Sequence, residues 1–462
     1  MSFLKRFQIS LESLYLLPEL SGKTVPHYVV AYSGGVDSHV LLYCCKQLNL
    51  PVRAVHVHHG LQEVADDWVG HCQRICEQLS IRLDVIYVDA QKQQRQSPEE
   101  AARKARYAAL KENLNPGDCL ITAQHENDQA ETLLLQLFRS AGPAGLSAMP
   151  EIRDFGSAVH VRPLLNFSRT EIEKFASEYA LRWVEDPSNN DTSLDRNFVR
   201  KKILPTLQER WPEITSQLSN VAGLQSSNLQ VLEDMAAIDL AACIQVPPAH
   251  SNTDIYVVLS MLSIPALKNF SSPRLLNVLR YWVVHHWVKY DDTDNISPTR
   301  NFLREIEKVF LHSSPDAKSK ITFAGFELRK FQESLYLLKE TSDKKVEASL
   351  TWHSEQALSI PGLNVQLSVI EKTGAGLKSE LLGKTFSIRF RQGGEKFHPV
   401  GRRHSQSLKK LFQEAGVPPW QRDVVPLLYL GDELIAVIGL WVSRKYAVGE
   451  GDIGWDIDVS VL

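Results

Sequence analysis

Val29-Val30-Ala31-Tyr32-Ser33-Gly34-Gly35-Val36-Asp37-Ser38, followed by His39-Val40-Leu41-Leu42-Tyr43-Cys44-Cys45, decides the fold. A short apolar run ends in hydroxyl and glycine residues and passes into a helix-compatible segment, which reads as a strand, a tight turn and a helix N-terminus. Two adjacent glycines let a ligand approach the backbone closely, while the first free N–H groups of the helix and its positive dipole end face the same point. The pattern predicts an anion site suited to phosphate, with Ser33 and Ser38 as added hydroxyl donors. Asp37, an acid beside an anion site, makes sense with a cation between them, most simply Mg²⁺.

Neither the G-x-x-x-x-G-K-[ST] lysine loop nor a G-x-G-x-x-G fingerprint is present. The bland reading of Ser33 to Ser38 is an ordinary β-α turn. The segment also resembles the pyrophosphate-binding loop of the PP-loop ATPases, which cleave ATP to AMP and pyrophosphate and activate an oxygen as an adenylate.

With 462 residues, 44% of them hydrophobic, the chain has material for two to four domains with real cores. A formal charge of −3 gives no global nucleic-acid signal, so any such binding must come from local patches. Six cysteines (Cys44, Cys45, Cys72, Cys76, Cys119 and Cys243) are scattered without a C-x-x-C pair and read as buried thiols in a reducing compartment. Gln8, Ser10 and Glu12 interrupt any apolar signal region, and no run approaches the ~18 apolar residues of a membrane span. A cytoplasmic protein without membrane attachment is expected.

Val52 to Val57 alternates as a second strand ending in His58-His59-Gly60-Leu61, Asp66 to Leu79 has helical spacing, and Arg82 to Val88 is a third strand. This βαβαβ order predicts a doubly wound parallel sheet with ligand sites at the strand C-termini. The close histidines invite a metal reading, but no cysteine or carboxylate cluster completes a coordination set, so His58 is assigned to the nucleoside end of the site. Ser97, Pro98 and Glu100 mark a helix start with a capping box, and Arg103 and Arg106 lie one turn apart on it. They make either a solvated basic face or a guanidinium within reach of the triphosphate. Asn115 to Asp118 is a turn, Cys119 to Ala123 a strand, and Gln124-His125-Glu126-Asn127-Asp128-Gln129-Ala130-Glu131-Thr132 opens the next helix. Its acids either serve the helix dipole or join Asp37 at the same sheet edge; in the second case Asp37 and Asp128 share one Mg²⁺ and Glu131 looks into the same cleft.

Taken in order, Ser33–Ser38, His58 to Leu61, Glu100 to Tyr107, Thr122 to Thr132, Gly142 to Met149, Arg162 to Leu165, Leu181 to Asn189 with Asp195 to Arg200, and Arg210 to Pro212 resemble bacterial tRNA(Ile)-lysidine synthetase. Asn127 departs from the Asp that many members carry, leaving Asp128 as the acid of that segment. The resemblance implies that ATP adenylates the C2 oxygen of the wobble cytidine in the CAU anticodon of an isoleucine tRNA. Free L-lysine then displaces AMP through its ε-nitrogen, changing the codon read from AUG to AUA. Ser33, Gly34, Gly35, Val36, Asp37, Ser38 and His58 would bind ATP, with Asp37, Arg106 and Asp128 as the catalytic set and Asp37 and Asp128 holding Mg²⁺. Free lysine is protonated near neutrality, its ε-amine pKa being ~10.4, so a proton acceptor is needed and both Glu131 and His125 qualify.

Arg196, Arg200, Lys201 and Lys202 crowd a helix start beside the cleft and are either solvated or in contact with tRNA phosphate. Glu213 to Cys243, Pro273 to Tyr290 and Pro298 to Leu311 read as helices, Ile321 to Phe326 with Glu333 to Leu338 as a hairpin, and Lys339 to Lys345 as a linker. Trp282 and Trp287 read as core. Beyond them, short strands surround one helix near Ser407 to Ala415. Between Thr385 and Lys445, ten Lys/Arg against five Asp/Glu make this part about +5. Arg389, Arg391, Lys396, Arg402, Arg403, Lys409 and Lys410 supply most of that charge, with Phe397, His398 and Trp420 available for stacking, which suggests an RNA backbone partner. Gly416 to Arg422 resembles the C-terminal domain of the longer lysidine synthetases, whose added domains hold the tRNA body.

The expected architecture is therefore α/β: a PP-loop, Rossmann-like catalytic domain (1–215), a small mainly helical tRNA-binding domain (216–345) and a C-terminal basic α+β tRNA-binding domain (346–462). A PP-loop tRNA thiolase is the nearest rival, disfavoured by the lack of a cysteine cluster. An amide-forming small-molecule synthetase and a non-catalytic tRNA-binding scaffold stand further off. A monomer and a homodimer are both compatible with the sequence.

Overall fold

The computed structural model describes residues 1–14, 27–58, 65–88, 98–246, 258–287, 298–312, 319–323, 325–339, 349–360, 363 and 365–461. His59 to Leu61, Ser97 and residues 340–345 of the expected linker lie outside the described residues, as do the side chains of Glu100 and Trp287. The chain divides into two compact units, Met1–Glu233 and Asp234–Leu462.

The first unit is built on six strands, β1 (Tyr28–Ala31), β2 (Val52–His58), β3 (Leu83–Tyr87), β4 (Cys119–Ile121), β5 (Ile152–Phe155) and β6 (Ala158–Val161), in the order β3-β2-β1-β4-β6-β5. All neighbours are parallel except the β5–β6 hairpin at the edge. Helices α1 (Phe3–Leu14), α2 (Val36–Gln47), α3 (Ala65–Leu79), α4 (Pro98–Glu112), α5 (Glu126–Phe138), α6 (Pro143–Leu146) and α7 (Arg169–Glu178) connect or cover the strands. The continuous apolar stretch Tyr28-Val29-Val30 is fully buried, as a parallel strand covered on both faces must be. One core, including Phe7, Val30, Leu41 and Phe175, lies on one side, and a second, with Val29, Tyr107 and Leu120, on the other. All six cysteines are buried and none is disulfide-bonded, matching the sequence expectation.

The consequence for function is topological. The chain leaves β1 toward β2 on one side and enters β4 on the other, so β1 and β4 flank the switch point of the sheet, where a crevice opens beyond the strand C-termini. α2 starts at the end of β1 and α5 at the end of β4.

In the second unit, helices Ile264–Lys268, Ser272–Trp287 and Arg300–Ile306 pack on a five-stranded antiparallel sheet. Trp282 is core, as expected, and donates its indole N–H to Ser260 Oγ at 2.9 Å. The hairpin differs from the sequence reading: Phe326–Phe331 pairs with Ser334–Lys339, while Lys320–Phe323 is a separate third strand, because Gly325, at φ +81°, turns the chain. The last part holds one five-stranded and one four-stranded antiparallel sheet sharing a core around Trp352, Phe386 and Trp455, with the expected helix at Leu408–Glu414. Alternating strands with one apolar face produce this arrangement. Among the described residues, no helix is long and apolar enough to cross a membrane.

Candidate active site

The loop after β1 is held by its own hydroxyls. Ser38 Oγ bonds Gly35 O at 3.0 Å and accepts from the Ser33 N–H at 3.2 Å, and the two serine hydroxyls lie 3.0 Å apart. Gly34 has φ +85°, and a Cβ there would stand 3.0 Å from both Cys72 Sγ and Val184 Cγ2. The position therefore requires glycine on conformational and steric grounds. Gly34 O also accepts from the Val184 N–H at 3.1 Å, which binds the loop to the segment that follows α7. No side chain caps the first turn of α2, and uncapped N–H groups at a helix start suit an anion.

Asp37 and the acids of α5 meet across the switch point. His125, the N-cap of α5, is buried, with Nε2 3.6 Å from Asp37 Oδ1 and 3.5 Å from Asp128 Oδ2. Asp37 Oδ2 accepts from Arg169 Nη1 at 3.0 Å, whereas Asp37 Oδ1 is buried with no hydrogen-bond donor. Burial pushes the Asp37 carboxyl above its ordinary range despite the nearby His125 and Arg169. Burial also acts on Asp128, but His125, Arg196 and Arg200 outweigh it and hold that carboxyl down at about 2.

Glu131 has no exposed side-chain surface. Its Oε2 accepts from Arg196 Nε at 2.8 Å and Arg200 Nη2 at 2.9 Å, and its Oε1 from Arg200 Nε at 2.6 Å. Both guanidinium groups also reach Asp128 Oδ1, at 2.9 and 3.2 Å. Arg196 lies in a short helix, Asp195–Phe198, and Arg200 in a π-helical turn, Val199–Ile203, which places both on one face. The structure thus turns Arg196 and Arg200 inward onto acids and leaves Lys201 and Lys202 exposed.

The cleft between these elements has a volume of about 1240 Å³. Ser33, Asp37, His58, Arg106, His125 and Glu131 all line it. His58 lies beside Tyr87, with ring centroids 5.0 Å apart, while His56 turns its Nδ1 to Tyr32 O at 2.9 Å. The two histidines thus have separate partners. Arg103 and Arg106 lie over the Tyr107 ring at 4.9 and 5.7 Å.

Arg169 escaped the sequence reading. Its one local signal is the capping box of Ser168 and Glu171, which fixes Arg169 as the first residue of α7. Asn127, noted only as a lost acid, accepts the Arg169 N–H at 3.0 Å.

In the basic C-terminal part, Arg389 donates to Gly431 O and Arg391 pairs with Asp423. Arg402 pairs with Glu414, which Lys410 approaches at 3.9 Å, and Arg403 and Lys409 are exposed. Two stacking expectations need correction. Phe397 is buried in the core around Leu408 and Phe412, and Trp420 packs edge-on against Tyr336 and Phe331 with Arg329 over its face.

A glycine loop and an acid-bearing helix on either side of a parallel-sheet switch point are the layout of a PP-loop domain, and the family model described as "PP-loop domain" matches residues 5–207. Models described as "TilS substrate binding domain" and "TilS substrate C-terminal domain" match residues 262–336 and 386–459. The tRNA(Ile)-lysidine synthase of Coxiella burnetii is 38% identical over 437 residues, covering 94% of this chain and 93% of that one. The enzyme of the same name from Methylococcus capsulatus is 38% identical over 426 residues, covering 91% and 93%. The chain belongs to the tRNA(Ile)-lysidine synthase family of PP-loop, ATP-dependent ligases. Among solved structures, a U34-tRNA thiolase from Methanococcus maripaludis is 16% identical with a TM-score of 0.39, covering 48% of this chain and 80% of that one.

Proposed function

We propose that this chain ligates free L-lysine to C2 of the wobble cytidine in a CAU-anticodon isoleucine tRNA, converting its reading from AUG to AUA, in the cytoplasm. The observation that carries this reading is the meeting of Asp37, His125 and Asp128 beside the glycine loop at the switch point. ATP lies with its phosphates on residues 33–38 and its base toward His58, and Arg106 neutralises charge developing on the phosphates as the cytidine oxygen attacks. The cleft of about 1240 Å³ exceeds the usual range for one small ligand, as a site for ATP and an inserted nucleotide needs.

The buried, donor-free Oδ1 of Asp37 fits a divalent cation, with Asp128 as the second carboxylate. Mg²⁺ bound there would neutralise phosphate charge and orient the leaving pyrophosphate. Lysine must lose a proton before its ε-nitrogen attacks. His125, against both Asp37 and Asp128, is better disposed to take it than Glu131, whose two oxygens are occupied by guanidinium groups. With all six thiols buried, sulfur delivery has no group to carry it.

The division at 215 and 345 assigns catalysis to the first domain and tRNA holding to the other two. Lys201 and Lys202 beside the cleft, and Arg389, Arg391, Arg402, Arg403, Lys409 and Lys410 in the last domain, face phosphate, while Arg196 and Arg200 act chiefly by fixing Asp128 and Glu131. The test is pyrophosphate release with radiolabelled lysine incorporation into an unmodified transcript of that tRNA, using Asp37→Ala as control. Both signals are expected and both should vanish in the control. Pyrophosphate without lysine entry would refute the ligase reading.

A further inference from the structure

The carboxylate of Asp37 has a cationic partner within the protein itself. Arg169 Nη1 bonds its Oδ2 at 3.0 Å, and Arg169 Nε bonds Glu173 Oε1 at 2.7 Å, so one guanidinium spans two acids of opposite setting. Asp37 faces the cleft, whereas Glu173 is half exposed on the outer turn of α7. The backbone of Arg169 cannot follow its side chain. Its N–H is held by Asn127 Oδ1, and the capping box of Ser168 and Glu171 fixes the helix start, with Glu171 further paired to Arg6. An anchored Cα with a guanidinium shared between two acceptors is a device with two settings: on both acids, or on Glu173 alone.

We propose that Arg169 is the resident counter-ion of Asp37, a positioning residue that holds this carboxylate while nucleotide is absent and releases it to the divalent cation arriving with ATP. The proposal rests on the reading of Asp37 as a metal ligand. Two cations compete for one carboxylate, so metal entry without nucleotide is suppressed. The triphosphate tips the balance by bringing negative charge that favours the metal and offers the released guanidinium a new acceptor. Glu173 limits how far the side chain travels, keeping the positive charge at the cleft rim. Among the described residues, Asp128 and Glu131 pair with Arg196 and Arg200, whereas Arg169 pairs with Asp37 of the phosphate loop.

The test is Mn²⁺ binding to the full-length protein without ATP or tRNA, followed by the electron paramagnetic resonance of free Mn²⁺. Arg169→Met is expected to bind Mn²⁺ about tenfold more tightly than the wild type, the scale of one charged hydrogen bond removed. The gain should disappear in Asp37→Asn/Arg169→Met. Arg169→Lys, whose single ammonium cannot span both acids, should also bind more tightly than the wild type. Unchanged Mn²⁺ affinity in Arg169→Met overturns the proposal, and so does tight binding in Arg169→Met with wild-type affinity in Arg169→Lys, which reports only a long-range field. A parallel titration with a non-hydrolysable ATP analogue separates the two levels. Metal uptake there that is lost in Asp37→Asn supports the metal-ligand reading by itself. Uptake that persists in Asp37→Asn refutes that reading and the counter-ion role with it.

Discussion

Arg200 grips Glu131 with two nitrogens, Nε at 2.6 Å from Oε1 and Nη2 at 2.9 Å from Oε2, on a carboxylate with no exposed surface. A carboxylate so enclosed depends on its partners, since removing one from a buried pair leaves charge without solvent. Arg200→Met should therefore lower the unfolding free energy by about 2–4 kcal/mol. Arg200→Lys should restore little of it, because a single ammonium cannot reproduce the fork. Urea unfolding of the two variants checks this.

Asp37 and Asp128 should show opposite pH signatures. The folded Asp37 pKa lies above the ordinary 3.8, so its contribution to stability is present below that pH and lost as pH rises through the folded value. In the metal-free protein, Asp37→Asn is expected to be more stable than the wild type at neutral pH, with the difference closing in acid. Such a gain would accompany loss of ATP cleavage, the signature of a destabilised functional group.

Asp128 behaves in the other sense. Its folded pKa of about 2 lies below 3.8, so its stabilisation is present above pH 3.8 and is lost as pH falls toward 2. Asp128→Asn should cost about 2 kcal/mol at neutral pH. Thermal melts from pH 2 to 8 measure both effects.

Gly34→Ala should impair the phosphate loop directly. The new Cβ would press on Cys72 and Val184 in a backbone conformation that L-residues disfavour by about 1–2 kcal/mol. ATP affinity is expected to fall by more than about tenfold while tRNA affinity is kept. Equilibrium binding of each ligand decides it.

Arg403→Glu with Lys409→Glu should weaken tRNA binding and reduce its salt dependence while leaving the ATP cleft untouched. Each phosphate that is no longer neutralised lowers the slope of log affinity against log salt by about 0.7–0.9. Filter binding across a salt series supplies the slope.

The parallel sheet was legible because β1 and β4 are continuous apolar runs that end in turn chemistry, and order along the chain fixes their sides. Asp37, His125 and Asp128 were legible for the same reason: each follows a strand end. Arg169 was not, because its importance lies in a partner far away in sequence and no local pattern marks which acid a surface arginine will meet. Trp420 was misread because an aromatic residue beside basic ones looks alike whether it faces solvent or plugs an apolar patch. Only the tertiary packing against Tyr336 and Phe331 distinguishes the two. The inward turn of Arg200 depends on a π-helical turn, which no hydrophobic period announces.

The hydrogen bond from the Val184 N–H to Gly34 O bears on how the protein is made. The phosphate loop leaves the ribosome well before Val184, whose N–H completes its backbone hydrogen bonding. A nascent chain that has passed β1 and α2 cannot yet hold nucleotide in finished geometry. Nucleotide that needs the finished loop would then bind after the segment beyond α7 has emerged, and ligand capture would act as a late lock on co-translational folding rather than as its seed.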